Sequence, residues 1–238
     1  LIITALSYKI SEQRLESEFI QTNIALLKYI SHTIDNKLKQ IDREIIILSE
    51  DPEVRTFIDG HYNSNMQRID NINKLTNKIN ALRFSDTDIS SIYIYSDISK
   101  SVLTYDFYGP VSSFYDDSWI NIFKDMDSFF SWVSTRKICE VRFGNILNRN
   151  VIYLIRSFPI SSNSDFRKGG IIVNIDENNI YNIIQNAKPK SKDEIFVTDD
   201  KGKIISHEKK EKLFDSFSEE EYVKSISFSD IQASQRIK

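Results

Sequence analysis

A chain of 238 residues, 40% apolar and 27% charged, is long enough to bury a sizeable core and has the composition of a folded protein, not a disordered one. Its formal charge of −3 gives no reason to expect nucleic acid as a partner, since no basic stripe is available to neutralise phosphates. The lone cysteine, Cys139, excludes an intrachain disulfide and a cysteine-built zinc cage, and His32, His61 and His207 stand at no metal-ligand spacing.

From Leu1 to Asp51 there is neither Gly nor Pro. Apolar residues recur at every seventh position through Leu6, Ile20, Leu27, Ile34, Ile41 and Leu48, with Gln13 out of pattern. A second series, Ile3, Ile10, Ile24, Leu38 and Ile45, is interrupted by Ser17 and Ser31. Interleaved at three and four residues, the two series predict one long helix with an apolar seam. Roughly 45 helical residues would reach about 65–70 Å. Such a rod either serves as a spine for two modules or pairs with a second copy. Leu1-Ile2-Ile3-Thr4-Ala5-Leu6 is apolar but far short of the roughly 20 residues that cross a bilayer. It reads equally as an ordinary helix start or as the outer end of a transmembrane helix.

Asp51-Pro52 supplies an N-cap and a first-turn proline for a second helix, stopped by Gly60. Met66, Ile69, Ile72, Leu75, Ile79 and Leu82 mark a third, amphipathic helix. Strand patterns follow over residues 89–96 and 101–107 as a hairpin, then over 138–143, 151–159 and 169–176. Between the second and third strands lies an aromatic-rich stretch, residues 105–132, with a short helix at 118–124. Asp176-Glu177 opens a helix to about Asn186, and a polar break runs over residues 187–192. Beyond it, residues 194–198 and 203–207 flank Asp199-Asp200-Lys201-Gly202, a strong hairpin turn. A polar helical segment at 218–224 and a Ser-rich tail end the chain.

This succession resembles the double Cache sensor domains of bacterial histidine kinases, chemoreceptors and AraC-type membrane regulators. Ser49-Glu50-Asp51-Pro52-Glu53-Val54 resembles the turn ending their first helix, Ile92-Tyr93-Ile94-Tyr95-Ser96 their first sheet strand, and Asp116-Asp117-Ser118-Trp119 their aromatic insertion. Residues 151–159 (VIYLIRSFP) and 169–176 (GGIIVNID) resemble their last two strands, and 196–207 the opening hairpin of the membrane-proximal module. The resemblance implies an α+β fold: a long N-terminal helix spine with PAS-like antiparallel sheet modules. It divides the chain into a spine and following short helix (1–58), a membrane-distal ligand-binding module (59–187) and a partial membrane-proximal module (188–238). Residues 225–238 depart from the pattern, which calls there for further strands.

The aromatic stretch carries the binding chemistry, because aromatic faces cover small ligands in apolar pockets with a few fixed polar groups. Candidate ligand-binding residues are Tyr93, Tyr95, Tyr105, Trp119, Trp132, Arg156 and Asp176. Alternation puts Tyr93 and Tyr95 on one face of their strand and Ile92 and Ile94 on the other; the apolar pair is expected toward the spine, with the opposite assignment left open. Arg156, a charge inside an apolar strand, either meets a ligand or forms an internal ion pair. Asp176 either orients a ligand or caps the next helix. Amino-acid-sensing Cache domains place an Arg before the insertion's Trp and a Tyr after it. Here Asp117-Ser118 and Ile120 occupy those places, so the resemblance points away from α-amino acids and toward a carbohydrate.

No phosphate-cradling loop, nucleophile elbow or metal spacing is present, so no enzyme, catalytic residue, metal or cofactor is expected. The expected function is extracytoplasmic sensing on the outer side of the cell membrane, passing a helix displacement through flanking transmembrane helices not contained in this chain. Its partner is a small polar solute or a solute-loaded binding protein, and the full receptor is expected to be a homodimer. The alternative is a structural dimerisation or protein-binding module without a small-molecule ligand.

Overall fold

The computed structural model describes residues 2–142, 145–160, 166–188, 194–199 and 201–216, with side chains described from residue 11 onward except over 140–147. Helix α1, Ile2–Ser49, is unbroken over 48 residues, as a stretch without Gly or Pro permits. Its C-terminal part buries Ile30, Ile34, Leu38, Ile41, Ile45 and Leu48 in the module's own core. The same helix leaves Leu15, Phe19, Ile20, Ile24 and Leu27 exposed farther toward its N-terminus. The seven-residue series therefore has two fates: Ile34, Ile41 and Leu48 pack on the sheet module, while Ile20 and Leu27 stay exposed.

Asp51 caps helix α2, Pro52–Asp59, by accepting from Glu53 N–H at 2.9 Å, and Gly60 ends it in the left-handed conformation at φ 67°. Lys78, from helix α3 (Asn65–Ser85), reaches Asp51 at 2.5 Å and Glu53 at 2.8 Å, pinning α3 to the start of α2.

Six antiparallel strands follow: β1 Ile89–Ser96, β2 Ser101–Leu103, β3 Tyr108–Pro110, β4 Phe130–Arg142, β5 Asn145–Phe158 and β6 Gly169–Asp176, in the order β3-β2-β1-β6-β5-β4. This is an α+β fold on a long helix, as the sequence implied. The strands differ from expectation in extent. The strand expected over 101–107 ends at Leu103, and the chain turns back to add β3. The fourth strand starts at Phe130, so Phe130–Trp132 belong to the sheet and not to the insertion. Its register with β5 is broken between Val133 and Arg136, where two β4 residues oppose one on β5.

The sheet separates two apolar clusters. Ile92, Ile94, Ile152, Leu154, Ile171 and Val173 face α1, α2, α3 and helix α5, Glu177–Ala187. Tyr93, Tyr95, Tyr153, Ile155 and Ile172 face the insertion, whose Phe114, Trp119, Phe123 and Met126 cover them. Short helix α4, Ile120–Asp125, lies over Gly170, where a Cβ would fall 2.7 Å from the Phe123 ring and 2.8 Å from the Arg156 carbonyl. Close descent of the insertion onto the sheet requires glycine there. Arg167 holds the far end of α4, donating to the Phe123 and Met126 carbonyls.

A second hairpin, β7 Val197–Thr198 and β8 Ile204–Ser206, docks on β4 and α5. His207, 1% exposed, stacks on Phe196 at 5.6 Å, and its Nδ1 accepts from Lys209 N–H at 2.8 Å. Burial, then the Lys212 charge, push this imidazole below its ordinary value, with Lys209 adding to the shift and Glu194 and Glu208 opposing it. The unfolded chain therefore takes up a proton at this site before the folded one does, so stability is full above about pH 6.5 and declines as pH falls below it. Thermal melts between about pH 5 and 7 should show that decline, and His207→Phe should flatten it. An unchanged slope in the variant would assign the decline elsewhere. The helix expected at 218–224 and the tail 225–238 lie outside the described residues.

Candidate functional site

On the insertion side, register sets a row of side chains across the sheet: Ser91 opposite Asn174, and Asn174 opposite Tyr153. One step along, the β4 bulge brings Arg136 onto this face, its guanidinium 4.3 Å above the Tyr153 ring. From the insertion, Asp116 and Ser118 reach down to meet it. Arg136 donates to Asp116 Oδ1 at 2.5 Å, to Ser118 Oγ at 2.7 Å and to Asn174 Oδ1 at 2.8 Å. Asn174 in turn donates to Ser91 Oγ at 2.9 Å, and Ser118 to Asp116 Oδ1 at 2.9 Å. The Trp119 indole N–H donates to the Asp116 carbonyl at 2.9 Å, fixing the segment from which the carboxylate projects.

Most of this cluster is buried, with Arg136 half-buried and Ser118 exposed at its rim. Asp116 is 5% exposed, Asn174 and Tyr93 are 0%, and Tyr153 is 2%. Burial pushes the Tyr153 phenol up to about 12 against the lowering effect of Arg136, and holds Tyr93 well above its ordinary value, so both stay protonated donors. Three polar atoms of the cluster find no partner among the described residues: Asp116 Oδ2, Arg136 Nε and Tyr93 Oη. Ser91 stands close to Tyr93 but outside hydrogen-bond geometry. An unpartnered buried donor or acceptor costs about 1–3 kcal/mol, more for a charged group. Three within one cluster make this the place where a polar solute would gain most.

The seven residues singled out from sequence are distributed unevenly around it. Tyr93, Tyr95 and Trp119 stand on the insertion side, with Trp119 edge-on to Tyr95 at 5.1 Å. Tyr95 is turned away from the cluster, its hydroxyl donating to Asp97 at 2.6 Å. Tyr105 and Trp132 pack with the spine-side cluster, Tyr105 beneath the Arg83 guanidinium at 3.7 Å. Asp176 caps α5, accepting from Asn178 N–H at 2.9 Å.

Arg156 is the clearest departure from a site beneath the insertion. It shares a face with Leu154 and Phe158, lies over the Phe130 ring at 5.1 Å, and pairs with Asp42 of α1. It is an internal ion pair between sheet and spine. Arg156→Ala should therefore lower stability by about 1–3 kcal/mol, the value of a charged hydrogen bond with a partly exposed partner, and leave solute affinity unchanged. Paired melting and titration of this one variant check it. Weakened binding at unaltered melting temperature would return Arg156 to the site.

Arg136, Asn174, Ser91 and the acidic role of Asp116 are the residues that sequence reading did not single out. Two cavities, of about 490 and 250 Å³, open elsewhere, where α1, α5 and the end of α3 meet, and are lined by Lys37, Arg43, Asp88 and Asn179 and by Arg83, Arg149 and Asp176. Among the described residues no group of three or more His, Cys, Asp or Glu could hold a metal ion, and no helix is long and apolar enough to cross a membrane.

The architecture is an antiparallel sheet covered by an aromatic insertion on one face and by a long helix on the other. Solved structures share it at low identity. A sensory domain from Vibrio parahaemolyticus, from a protein described as of the sensory box/GGDEF family, superposes with a TM-score of 0.56 at 12% identity, covering 82% of this chain and 73% of that one. The extracellular domain of vpHK1S-Z8, described as a histidine kinase, gives 0.54 at 16% identity, covering 83% and 74%. The sensory domain of the Campylobacter jejuni chemoreceptor Tlp3 with isoleucine bound gives 0.52 at 16% identity, covering 84% and 74%. No protein-family model matches the chain, and no curated sequence does.

Proposed function

We propose that this chain is the sensing part of a membrane receptor, displayed on the extracytoplasmic side, which binds a small polar solute in the Asp116–Arg136–Asn174 cluster and passes a displacement to its helix. The observation that carries this reading is the set of buried polar atoms without partners among the described residues, held between sheet and insertion. Their chemistry favours a small zwitterion, such as an α-amino acid, over a carbohydrate. A guanidinium answers a carboxylate, a carboxylate answers an ammonium, and a sugar carries neither charge. The arginine absent from the insertion at Asp117-Ser118 is replaced in this reading by Arg136, which enters from β4. The isoleucine bound to Tlp3 fits the same view. No catalysis is assigned to the module.

In this reading residues 1–58 form the spine, 59–187 the membrane-distal module and 188–238 the beginning of a membrane-proximal one. In the whole receptor the exposed seam residues Ile20 and Leu27 meet a second copy. Cysteines placed there should cross-link dimers in membranes, and their failure at every seam position would overturn the pairing.

Calorimetric titration with neutral L-amino acids and, separately, with monosaccharides tests the ligand. Heat from an amino acid is expected. Heat from a sugar alone would restore the carbohydrate reading. Silence from both would favour the alternative of a structural or protein-binding module, which the full closure of Trp119 and Tyr93 also suits.

A further inference from the structure

The two strands that supply the cluster's polar floor are both tied to the second hairpin, β4 from its middle and β6 through the helix that follows it. On β4, Arg136 enters the cluster while its neighbour Thr135, 1% exposed, donates its hydroxyl to the Ile205 carbonyl of β8 at 2.5 Å. The bulge makes this possible, because both residues fall where β4 briefly stops alternating against β5. On β6, Asn174 lies three residues before Glu177, itself 1% exposed at the start of α5. Glu177 accepts from Ser206 Oγ of β8 at 2.6 Å through one oxygen and from Lys210 Nζ at 2.5 Å through the other. Lys210 also sits 4.2 Å above the Tyr181 ring of α5. Ser206 and His207 are 0% and 1% exposed, so the hairpin is packed into these contacts, not resting on them.

We infer that the β7–β8 hairpin reads the state of the polar cluster through these two buried contacts, Thr135 to Ile205 and Glu177 to Ser206 and Lys210. This rests on the cluster being the ligand site. A shift of Arg136 moves the bulge that carries Thr135, and a shift of Asn174 moves the strand end that carries Glu177. Packed contacts answer such shifts by changing between discrete arrangements, not by deforming smoothly. The hairpin thereby receives the same event from two strands, and both signals leave the distal module at β8.

The test uses no ligand, so it stands apart from the titrations above. Asp116→Asn disturbs the cluster from the insertion side, and amide hydrogen exchange of Ile204, Ile205 and Ser206 in the full chain reads the hairpin. Exchange there should quicken about fivefold or more, the lower range of ordinary coupling, while the amides of β2 keep the parent rate. Thr135→Val should reduce that increment to less than about twofold, and Thr135→Ser, which keeps the hydroxyl, should preserve it. If Asp116→Asn unfolds the chain, Ser118→Ala supplies a milder disturbance of the same cluster. Hairpin exchange that stays at the parent rate while the α4 amides quicken would overturn the coupling. So would an increment undiminished in both Thr135→Val and Glu177→Gln.

Discussion

Replacing Arg136 by methionine is expected to lower stability by about 3–5 kcal/mol, because it leaves the Asp116 carboxylate buried without its counter-charge. Asp116 is only 5% exposed, and its second oxygen has no partner among the described residues. For a domain of this size that loss is roughly 6–20 °C in melting temperature. The double variant Arg136→Met, Asp116→Leu should recover most of it, since apolar groups of similar volume replace a buried pair at little or no loss. Thermal or urea unfolding of the single and double variants reads both numbers. A single variant within about 2 °C of the parent would show that the ion pair contributes nothing to the fold. Solute binding should be absent from both variants, and binding that survives Arg136→Met would remove this arginine from the site.

Trp119→Ala is expected to destabilise by a similar amount, about 3–5 kcal/mol, through a different cause. Trp119 is fully buried, edge-on to Tyr95 and Phe123, and no neighbour can fill its place without dragging α4 down onto Gly170. Trp119→Phe keeps most of the buried area and loses the hydrogen bond to the Asp116 carbonyl, so it should cost about 1–2 kcal/mol. An apolar cavity of that shape should admit indole, which would raise the melting temperature of Trp119→Ala and not that of the parent. A loss below about 1 kcal/mol for Trp119→Ala would mean that the insertion packs loosely on the sheet.

The elements were legible where a period or a cap announced them. Absence of a breaker foretold α1, Asp51-Pro52 foretold α2, and the alternation of Ile92-Tyr93-Ile94-Tyr95 sorted that strand between two faces. The polar floor of the candidate site was much less legible, for one physical reason. Arg136 reaches the insertion side only because the β4 bulge reverses the alternation set by Phe130, Trp132 and Val133, and nothing in Ser134-Thr135 marks a bulge. The aromatic run before it also disguised the strand as part of the insertion. Arg156 illustrates the converse case. Its strand is apolar on both faces, so alternation alone cannot say which face meets the spine, and only pairing with Phe130 and the reach of Asp42 settle it. Asn174 and Ser91 are ordinary polar residues in sequence, and become a pair only through cross-strand register.

The division of α1 into a packed part and a projecting part gives it the proportions of a lever. From Ile30 to Leu48 it is clamped against the sheet over roughly 27 Å, while the residues before Ile30 extend about 42 Å beyond the clamp, at 1.5 Å per residue. A tilt of about 2° at the clamp carries the far tip through about 1.5 Å, although no clamped side chain moves more than a fraction of that. An arm of this length would turn a small tilt at the clamp into a displacement on the scale of a helix shift at a subunit interface.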